Sequence, residues 1–324
     1  MLAVLATTFP FFALVLCGWL AAERGPLPDS AIPGLNGFVL FFALPCLLFR
    51  FGRDTPLREL LSPALLGVYV VAALLVVALT IAVTRGSVAG MKDAAFGALV
   101  AAFPNSGFMG VPLIVALLGS MAAGPVVSTL LVDLFITSSL CLALSQAGQH
   151  GHAGRAALWQ ALKAAAANPQ PWAIAAGVLL SASGRALPAP LAKAVDMLGD
   201  AASPVALFAI GAVLSRSGRA NRAAGRAMPV TAWLPAAAIK LLVHPALVFG
   251  LGWSARHWGA PLTEGQLIAL TLAAALPSAS NVSLLAERHG ADNGRVARII
   301  LASTALAFLS FSALATLLIR PVAA

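Results

Sequence analysis

Charged side chains are scarce in this sequence: Asp, Glu, Lys and Arg together make up 10% of its 324 residues. A soluble globular domain has about 25%, so the composition excludes that class. Hydrophobic residues reach 60% and the mean hydropathy is +0.94. Because one bilayer-crossing helix needs about 20 apolar residues, the chain has enough for about ten such helices. The composition is typical of an all-α polytopic membrane protein.

Cysteine and catalytic motifs are also lacking. Cys17, Cys46 and Cys141 lie within apolar runs without CxxC spacing, which predicts neither a disulfide nor a metal site. The sequence contains no nucleotide-binding motif, HExxH, GxSxG or paired catalytic aspartate motif. We therefore expect no cofactor, no metal and no enzymatic activity. No basic leader precedes Glu23, so we expect the first apolar stretch to remain as a span.

Apolar stretches separated by polar gaps predict ten transmembrane helices. The widest gap divides them five and five, which predicts an N-terminal half over 1–146, a cytoplasmic linker over 147–168 and a C-terminal half over 169–324. We interpret His150 and His152 in this linker as solvated residues. The predicted spans cover 2–22, 31–50, 63–83, 94–118, 124–145, 170–183, 191–214, 230–253, 265–287 and 297–319.

The gaps after odd-numbered spans carry more Lys and Arg than the other face. Positively charged loops stay in the cytoplasm. Both termini are therefore predicted to lie on the outer side of the cytoplasmic (inner) membrane. We interpret Arg216, Arg219, Arg222 and Arg226 as topology determinants that contact anionic lipid headgroups. No aromatic platform or soluble domain accompanies them, so no nucleic acid is expected as a partner.

The fourth and the ninth spans are each interrupted by a proline, small polar residues and an asparagine. Unwound backbone inside a membrane is tolerated where it is buried in protein or lines a cavity. Paired interruptions in two halves indicate a transporter site, and half-helix N-termini at the breaks favour an anion. The alternative is that the prolines only kink the helices for packing or gating. The predicted substrate-binding residues are Pro104, Asn105, Ser106, Gly107, Pro277, Ser278, Ser280 and Asn281.

Three ionisable residues are predicted within the membrane. Asp133 is central in the fifth span, where a carboxylate indicates function by default, and it is our candidate for coupling to H+ or Na+. Lys240 and His244 share one face of the eighth span. They offer a cation for an anionic substrate, a partner for Asp133 or a proton-sensitive pair. The alternatives are a snorkelling lysine or a purely structural ion pair.

Asp200 in the seventh span has two interpretations. It either reaches the substrate site or belongs to an exposed stripe with Lys193 and Asp196, since the three lie at positions i, i+3 and i+7. In the second span, Asn36 and Pro45 either support the interrupted helices or contact substrate.

Four motifs, in the order found here, resemble the auxin efflux carrier family, which includes plant PIN carriers and bacterial malonate-type carriers. The motifs lie at 35–45, at 104–112, at Lys240 with His244 and Pro245, and at 277–292. Together they extend over nearly the whole chain.

This resemblance implies two inverted five-helix repeats, similar to bile acid/sodium symporters, in which broken helices 4 and 9 cross. Substrate would bind beside the crossing, with Pro104, Asn105, Pro277 and Asn281 at its centre. The resemblance also implies a homodimer. Plant carriers with a regulated loop have a much longer insertion than 147–168, so the bacterial organic-acid branch is favoured.

The sequence therefore predicts a secondary active transporter that moves a small organic anion, malonate-like or another carboxylate, by alternating access. Its expected partners are that substrate and the lipid bilayer. A passive channel or a membrane sensor is the alternative, and an intramembrane enzyme is less favoured because the chain has no catalytic motif.

Overall fold

The apolar stretches of the sequence form helices in the computed structural model of this chain, which describes residues 2–55, 60–87, 90–147, 169–223 and 228–319. Every regular element in those ranges is helical. Apart from Ala147, the predicted linker over 147–168, with His150 and His152, lies outside the described residues. The all-α prediction is confirmed for the part of the chain that the structure describes.

We number the helical rods α1 to α12 in chain order. Within the described ranges, α1, α2, α3, α6, α8, α9 and α12 are long and apolar enough to cross a membrane. Predicted spans four and nine correspond to the pairs α4–α5 and α10–α11, and the sixth span corresponds to α7. The bounds are α1 Leu2–Glu23, α2 Asp29–Asp54, α3 Pro63–Thr84, α4 Met91–Ala102, α5 Ser106–Leu118, α6 120–147, α7 Pro169–Ala182, α8 Ala189–Ala223, α9 Leu234–His257, α10 Glu264–Ala275, α11 Asn281–Arg288 and α12 Asn293–Leu318.

Widened, π-helical turns interrupt four of these rods. A proline follows three of the four turns, two residues after the turn ends. In a regular helix, a proline ring clashes with the carbonyl four residues before it, and the proline has no N–H to donate to that carbonyl. Here that carbonyl lies inside the wide turn in each case, and the wider turn accommodates the proline ring. The prolines are Pro45, Pro112 and Pro245, and the turns are Val39–Ala43, Ser106–Gly110 and Ile239–Val243. The fourth turn, Asp133–Thr137, has no such proline.

The helices pack into two groups. The frame bundle consists of α1, α2, α7 and α8, and the core bundle consists of α3 to α6 with α9 to α12. Glycines let the frame helices approach closely: a Cβ on Gly18 of α1 would lie 1.9 Å from the carbonyl oxygen of Phe208 on α8. Such small-residue contacts are the usual means by which membrane helices pack.

Ion pairs join frame helices near opposite ends of α8. Arg50 Nη1 of α2 lies 2.7 Å from Asp200 Oδ1 of α8. Toward the other end, the Arg219 guanidinium pairs with Glu23 of α1 and Asp29 of α2. The exposed Asp200 carboxylate is thus held by Arg50, which agrees with the interpretation of Asp200 as part of an exposed stripe.

Candidate functional site

The two interrupted helices meet at their breaks. Pro104 and Ser278 form an isolated antiparallel β-bridge. The backbone N–H of Asn105 donates to the carbonyl of Pro277 at 2.8 Å, and the N–H of Ala279 donates to the carbonyl of Phe103 at 2.9 Å. Each break therefore satisfies backbone groups of the other that no helix can satisfy. We call residues 103–106 and 276–281 the crossing.

Hydroxyl groups from neighbouring helices support the crossing. Ser303 Oγ of α12 accepts a hydrogen bond from the backbone N–H of Ser278 at 3.2 Å. Thr129 Oγ1 of α6 lies 3.2 Å from Ser106 Oγ. Sequence analysis missed both residues, because a single hydroxyl on an apolar helix carries no signal until its neighbour is known.

The two breaks differ in exposure. Asn105 and Ser106 from the first break are buried, with exposed fractions of 5% and 0%, and Ser278 is 2% exposed. Ser280 and Asn281 from the second break are partly exposed. Among the described residues, the Ser278 Oγ and Asn281 Oδ1 atoms are buried without a hydrogen-bond partner. Of the two asparagines predicted at the site, Asn281 is the more exposed.

A cavity lies between the frame bundle and the core bundle beside the second break. Of the eight predicted substrate-binding residues, Ser280 and Asn281 line this cavity, and Pro104, Asn105, Ser106, Gly107, Pro277 and Ser278 do not. The complete lining is Asn36, Val39, Leu40, Phe108, Ala206, Ile210, Val213, Arg216, Ser217, Ser280, Asn281, Ser283, Glu287 and Asn293.

Two charged residues in this lining were not predicted as site residues. Arg216 belongs to the arginine run that we interpreted as a topology signal, yet its side chain lines the cavity. Glu287 lies on α11 and is exposed. No ion pair within 4.0 Å joins these two described residues. Sequence could not separate Arg216 from Arg219, because the direction of each side chain depends on how α8 packs.

A second group of polar residues is enclosed in the core bundle. The Asp133 side chain is fully buried. Its Oδ2 accepts a hydrogen bond from the Tyr69 hydroxyl at 2.9 Å, and its Oδ1 accepts one from Thr137 Oγ1 at 3.0 Å. Tyr69 is the only tyrosine in the sequence. Both carboxylate oxygens therefore have a donor from the protein.

Lys240 and His244 complete this group. Both are fully buried. Lys240 Nζ donates to the carbonyl of Ala274 on α10 at 2.7 Å and lies 3.2 Å from His244 Nδ1. The centroid of the His244 ring lies 5.7 Å from that of Tyr69. We call Tyr69, Asp133, Thr137, Lys240 and His244 the charge cluster.

The charge cluster is separate from the cavity. None of its five members is among the residues that line the cavity. No ion pair within 4.0 Å joins Asp133 to Lys240, although the structure describes both. Because buried charges are weakly screened, a change of charge on one group still acts on the other. The cluster thus brings together the three residues predicted for ion coupling or counter-charge.

Comparison with known proteins bears on the activity of this arrangement. The family model described as "Membrane transport protein" matches residues 3–315. The chain belongs to this family. It is the auxin efflux carrier family that the sequence motifs resemble, so that prediction is confirmed. Within the chain, the crossing and the cavity are thus features of an integral membrane transport protein.

The chain is also similar to a protein from Rhizobium meliloti (strain 1021) that is named "Putative malonate transporter". The two sequences are 29% identical over 312 residues, which cover 94% of this chain and 93% of the relative. The aligned region therefore spans both halves of the chain.

Proposed function

We propose that this protein is a secondary active transporter that moves a small organic anion across the cytoplasmic membrane by alternating access. The observation that carries this proposal is the crossing: two broken helices meet, and the second break presents Ser280 and Asn281 to a cavity between two bundles. Backbone interrupted at such a place is the usual form of a transporter binding site.

An anion fits the second break for two reasons. Helix α11 begins at Asn281, which lines the cavity, so the positive end of the helix dipole lies there. The Asn281 side chain also carries an amide NH2 group, which offers an anion two hydrogen-bond donors. The name of the relative supports a carboxylate such as malonate as the anion.

Alternating access would move the core bundle against the frame bundle. The cavity lies between these two bundles and reaches Arg216, on the face predicted to be cytoplasmic, so this conformation would open inward. The frame bundle is held together by its close glycine contacts and by the ion pairs of Arg50 and Arg219, which suits it to act as the fixed element. The inverted repeats, the two external termini and the homodimer belong to this proposal as predictions.

The charge cluster is the proposed coupling site. Its Asp133 oxygens already accept hydrogen bonds from two hydroxyls, and its other polar groups are an ammonium and an imidazole. Hard metal cations bind through several oxygen ligands, whereas a proton needs only one basic atom. This composition favours H+ over Na+ as the coupling ion.

Uptake into proteoliposomes tests the proposal. Radiolabelled malonate is supplied under an inward proton gradient and then under an inward sodium gradient, with Asn281→Ala as the binding-site variant. We expect saturable uptake that the proton gradient drives and that Asn281→Ala removes. Counterflow of preloaded malonate separates a carrier from the alternative, a passive channel. Uptake that does not saturate, without counterflow, would contradict the proposal.

A further inference from the structure

Two sets of residues in the cavity lining bear on the binding of a charged ligand. The first set is Ser280 and Asn281 at the start of α11. The second set is Glu287, six residues farther along α11, and Arg216 on α8. At a rise of about 1.5 Å per residue, six residues correspond to about 9 Å along the helix. A ligand with one anionic group at the start of α11 therefore occupies a cavity that Arg216 also lines.

Arg216 differs from its neighbour Arg219 in how its charge is used. The Arg219 guanidinium pairs with Glu23 and Asp29, and it donates to the carbonyl of Ala22 at 2.8 Å. Arg216 has no ion pair within 4.0 Å in the described part of the chain, although its half-buried side chain lines the cavity. One arginine thus joins helices of the frame bundle, whereas the other lines the cavity and has no ion pair in the described part of the chain.

Lys240, the cation that sequence analysis offered for an anionic substrate, is not placed to serve the cavity. Its side-chain nitrogen donates to the carbonyl of Ala274 and lies beside His244. Neither Lys240 nor His244 lines the cavity. A second anionic group on the substrate therefore finds its counter-charge at Arg216. A guanidinium suits this task, because its planar donors match a carboxylate in a bidentate manner.

We propose that Arg216 binds the second carboxylate of the substrate, so that the carrier selects dicarboxylates over monocarboxylates. This inference rests on the proposed function, in which the first carboxylate binds at Ser280 and Asn281. The cavity lining also includes apolar side chains, among them Phe108, Ile210 and Val213, which suit the carbon chain of a short diacid.

Glu287 supplies the competing explanation. It lies on the core bundle and Arg216 lies on the frame bundle, so the two residues are also positioned to pair when the cavity closes. If Arg216 acts only as such a gate, removing Glu287 has the same effect as removing Arg216. If Arg216 binds substrate, removing Glu287 tightens dicarboxylate binding, because a like charge leaves the cavity.

Uptake measurements on reconstituted protein test the inference. Wild type is compared with Arg216→Gln, Arg216→Lys and Glu287→Gln, using malonate, succinate and glutarate against acetate, propionate and butyrate. Arg24→Gln is the matched control: Arg24 is exposed on the same predicted face and does not line the cavity. It removes one positive charge as Arg216→Gln does, so an effect on topology would appear in both variants.

We expect Arg216→Gln to raise the apparent KM for dicarboxylates by about tenfold to a hundredfold, the range of a lost charge-assisted hydrogen bond. Monocarboxylates should change by less than about threefold, Arg216→Lys should restore part of the loss, and Glu287→Gln should tighten dicarboxylate binding. Equal losses for both acid classes, or Glu287→Gln behaving like Arg216→Gln, would overturn the inference alone. Absence of uptake of every acid by wild type would overturn the proposed function instead.

Discussion

The crossing and the charge cluster are both buried polar regions of the core bundle, yet only the crossing borders the cavity. At the crossing, Asn281 faces the cavity and keeps an amide oxygen without a protein partner. In the charge cluster, both oxygens of Asp133 accept hydrogen bonds from the protein, and no member lines the cavity. The first region thus borders the cavity at Ser280 and Asn281, whereas the second is fully enclosed at Asp133, Lys240 and His244.

The two regions also differ in how the helix is altered. At the crossing the helices stop, so backbone N–H and C=O groups of one break bond to those of the other. In the charge cluster the helices continue through wide turns, and Asp133 and Lys240 each lie on one of them. Such π-helical turns occur often at functional sites. A stopped helix thus needs another break to satisfy its backbone groups, whereas a widened helix remains continuous.

The largest effect is expected from Asn281→Ala, which removes the cavity-facing amide. Uptake should fall by about a hundredfold or more, the loss of two good hydrogen bonds. The thermal midpoint of unfolding should stay near that of wild type, since the Asn281 oxygen bonds no protein atom. Proteoliposome uptake and thermal unfolding in detergent measure the two quantities. Wild-type uptake by this variant would remove the crossing as the substrate site.

Asp133→Asn should separate transport from coupling. We expect it to abolish gradient-driven accumulation and to retain counterflow, because the substrate site does not include the charge cluster. Asp54→Asn is the control, since Asp54 is exposed and pairs with the adjacent Arg53. If Asp133→Asn loses both counterflow and accumulation, the two regions are not independent.

Tyr69→Phe should affect stability more than substrate affinity. It removes the hydroxyl that bonds Asp133 Oδ2, and a buried acceptor left without a donor costs about 1–3 kcal/mol of the free energy of unfolding. The apparent KM for substrate should not change. Denaturant unfolding and uptake kinetics on the same preparation check both statements; a raised KM with unchanged stability would contradict them.

Ser303→Ala should loosen the crossing slightly. The Ser303 hydroxyl accepts the backbone N–H of Ser278, and losing such a bond costs about 1 kcal/mol. The apparent KM should therefore rise by no more than about fivefold. Ser310→Ala, on the same helix but with no crossing contact in the described residues, is the control. Equal KM values for the two variants would show that Ser303 does not position the second break.

The smallest effect is expected at His289, which lies between α11 and α12. Burial lowers the pKa of its imidazole, and the positive charges of Arg288 and Lys92 lower it further. The folded protein thus favours neutral His289, whereas the unfolded chain takes up a proton near pH 6.5. Stability should fall as the pH drops below about 6.5, and His289→Gln should flatten that slope.

The same variant refines the comparison of the two regions. A pH dependence of transport that survives in His289→Gln and disappears in Asp133→Asn belongs to the charge cluster. If His289→Gln itself removes the pH dependence of transport, the proposed proton site lies in the wrong place.

Several features were predictable from sequence because they depend on local chemistry. The interruptions at Pro104 and Pro277 follow from the missing N–H of proline, and the structure ends α4 and α10 just before them. The membrane-protein class follows from the scarcity of charge, and the family follows from motifs that remain in order along the chain. The proximity of Lys240 and His244 follows from the i, i+4 spacing of a helix.

Other features depended on neighbours that no spacing reveals. The bond of Tyr69 to Asp133 joins residues 64 positions apart, and the bond of Ser278 to Ser303 joins the second break to α12. The ion pair of Asp200 with Arg50 also depends on the packing of α2 on α8. Sequence identified the residue types and left their partners open.

The sequence by itself determined that this chain is a helical membrane transport protein with two broken helices, because hydrophobicity and proline chemistry act within a few residues. Only the tertiary structure decided which of its polar residues face the cavity. Arg216 and Arg219 belong to one basic run, yet the first lines the cavity and the second pairs with Glu23 and Asp29. The physical reason is that a side chain's partners are set by the packing of whole helices, which adjacent positions in the sequence do not specify.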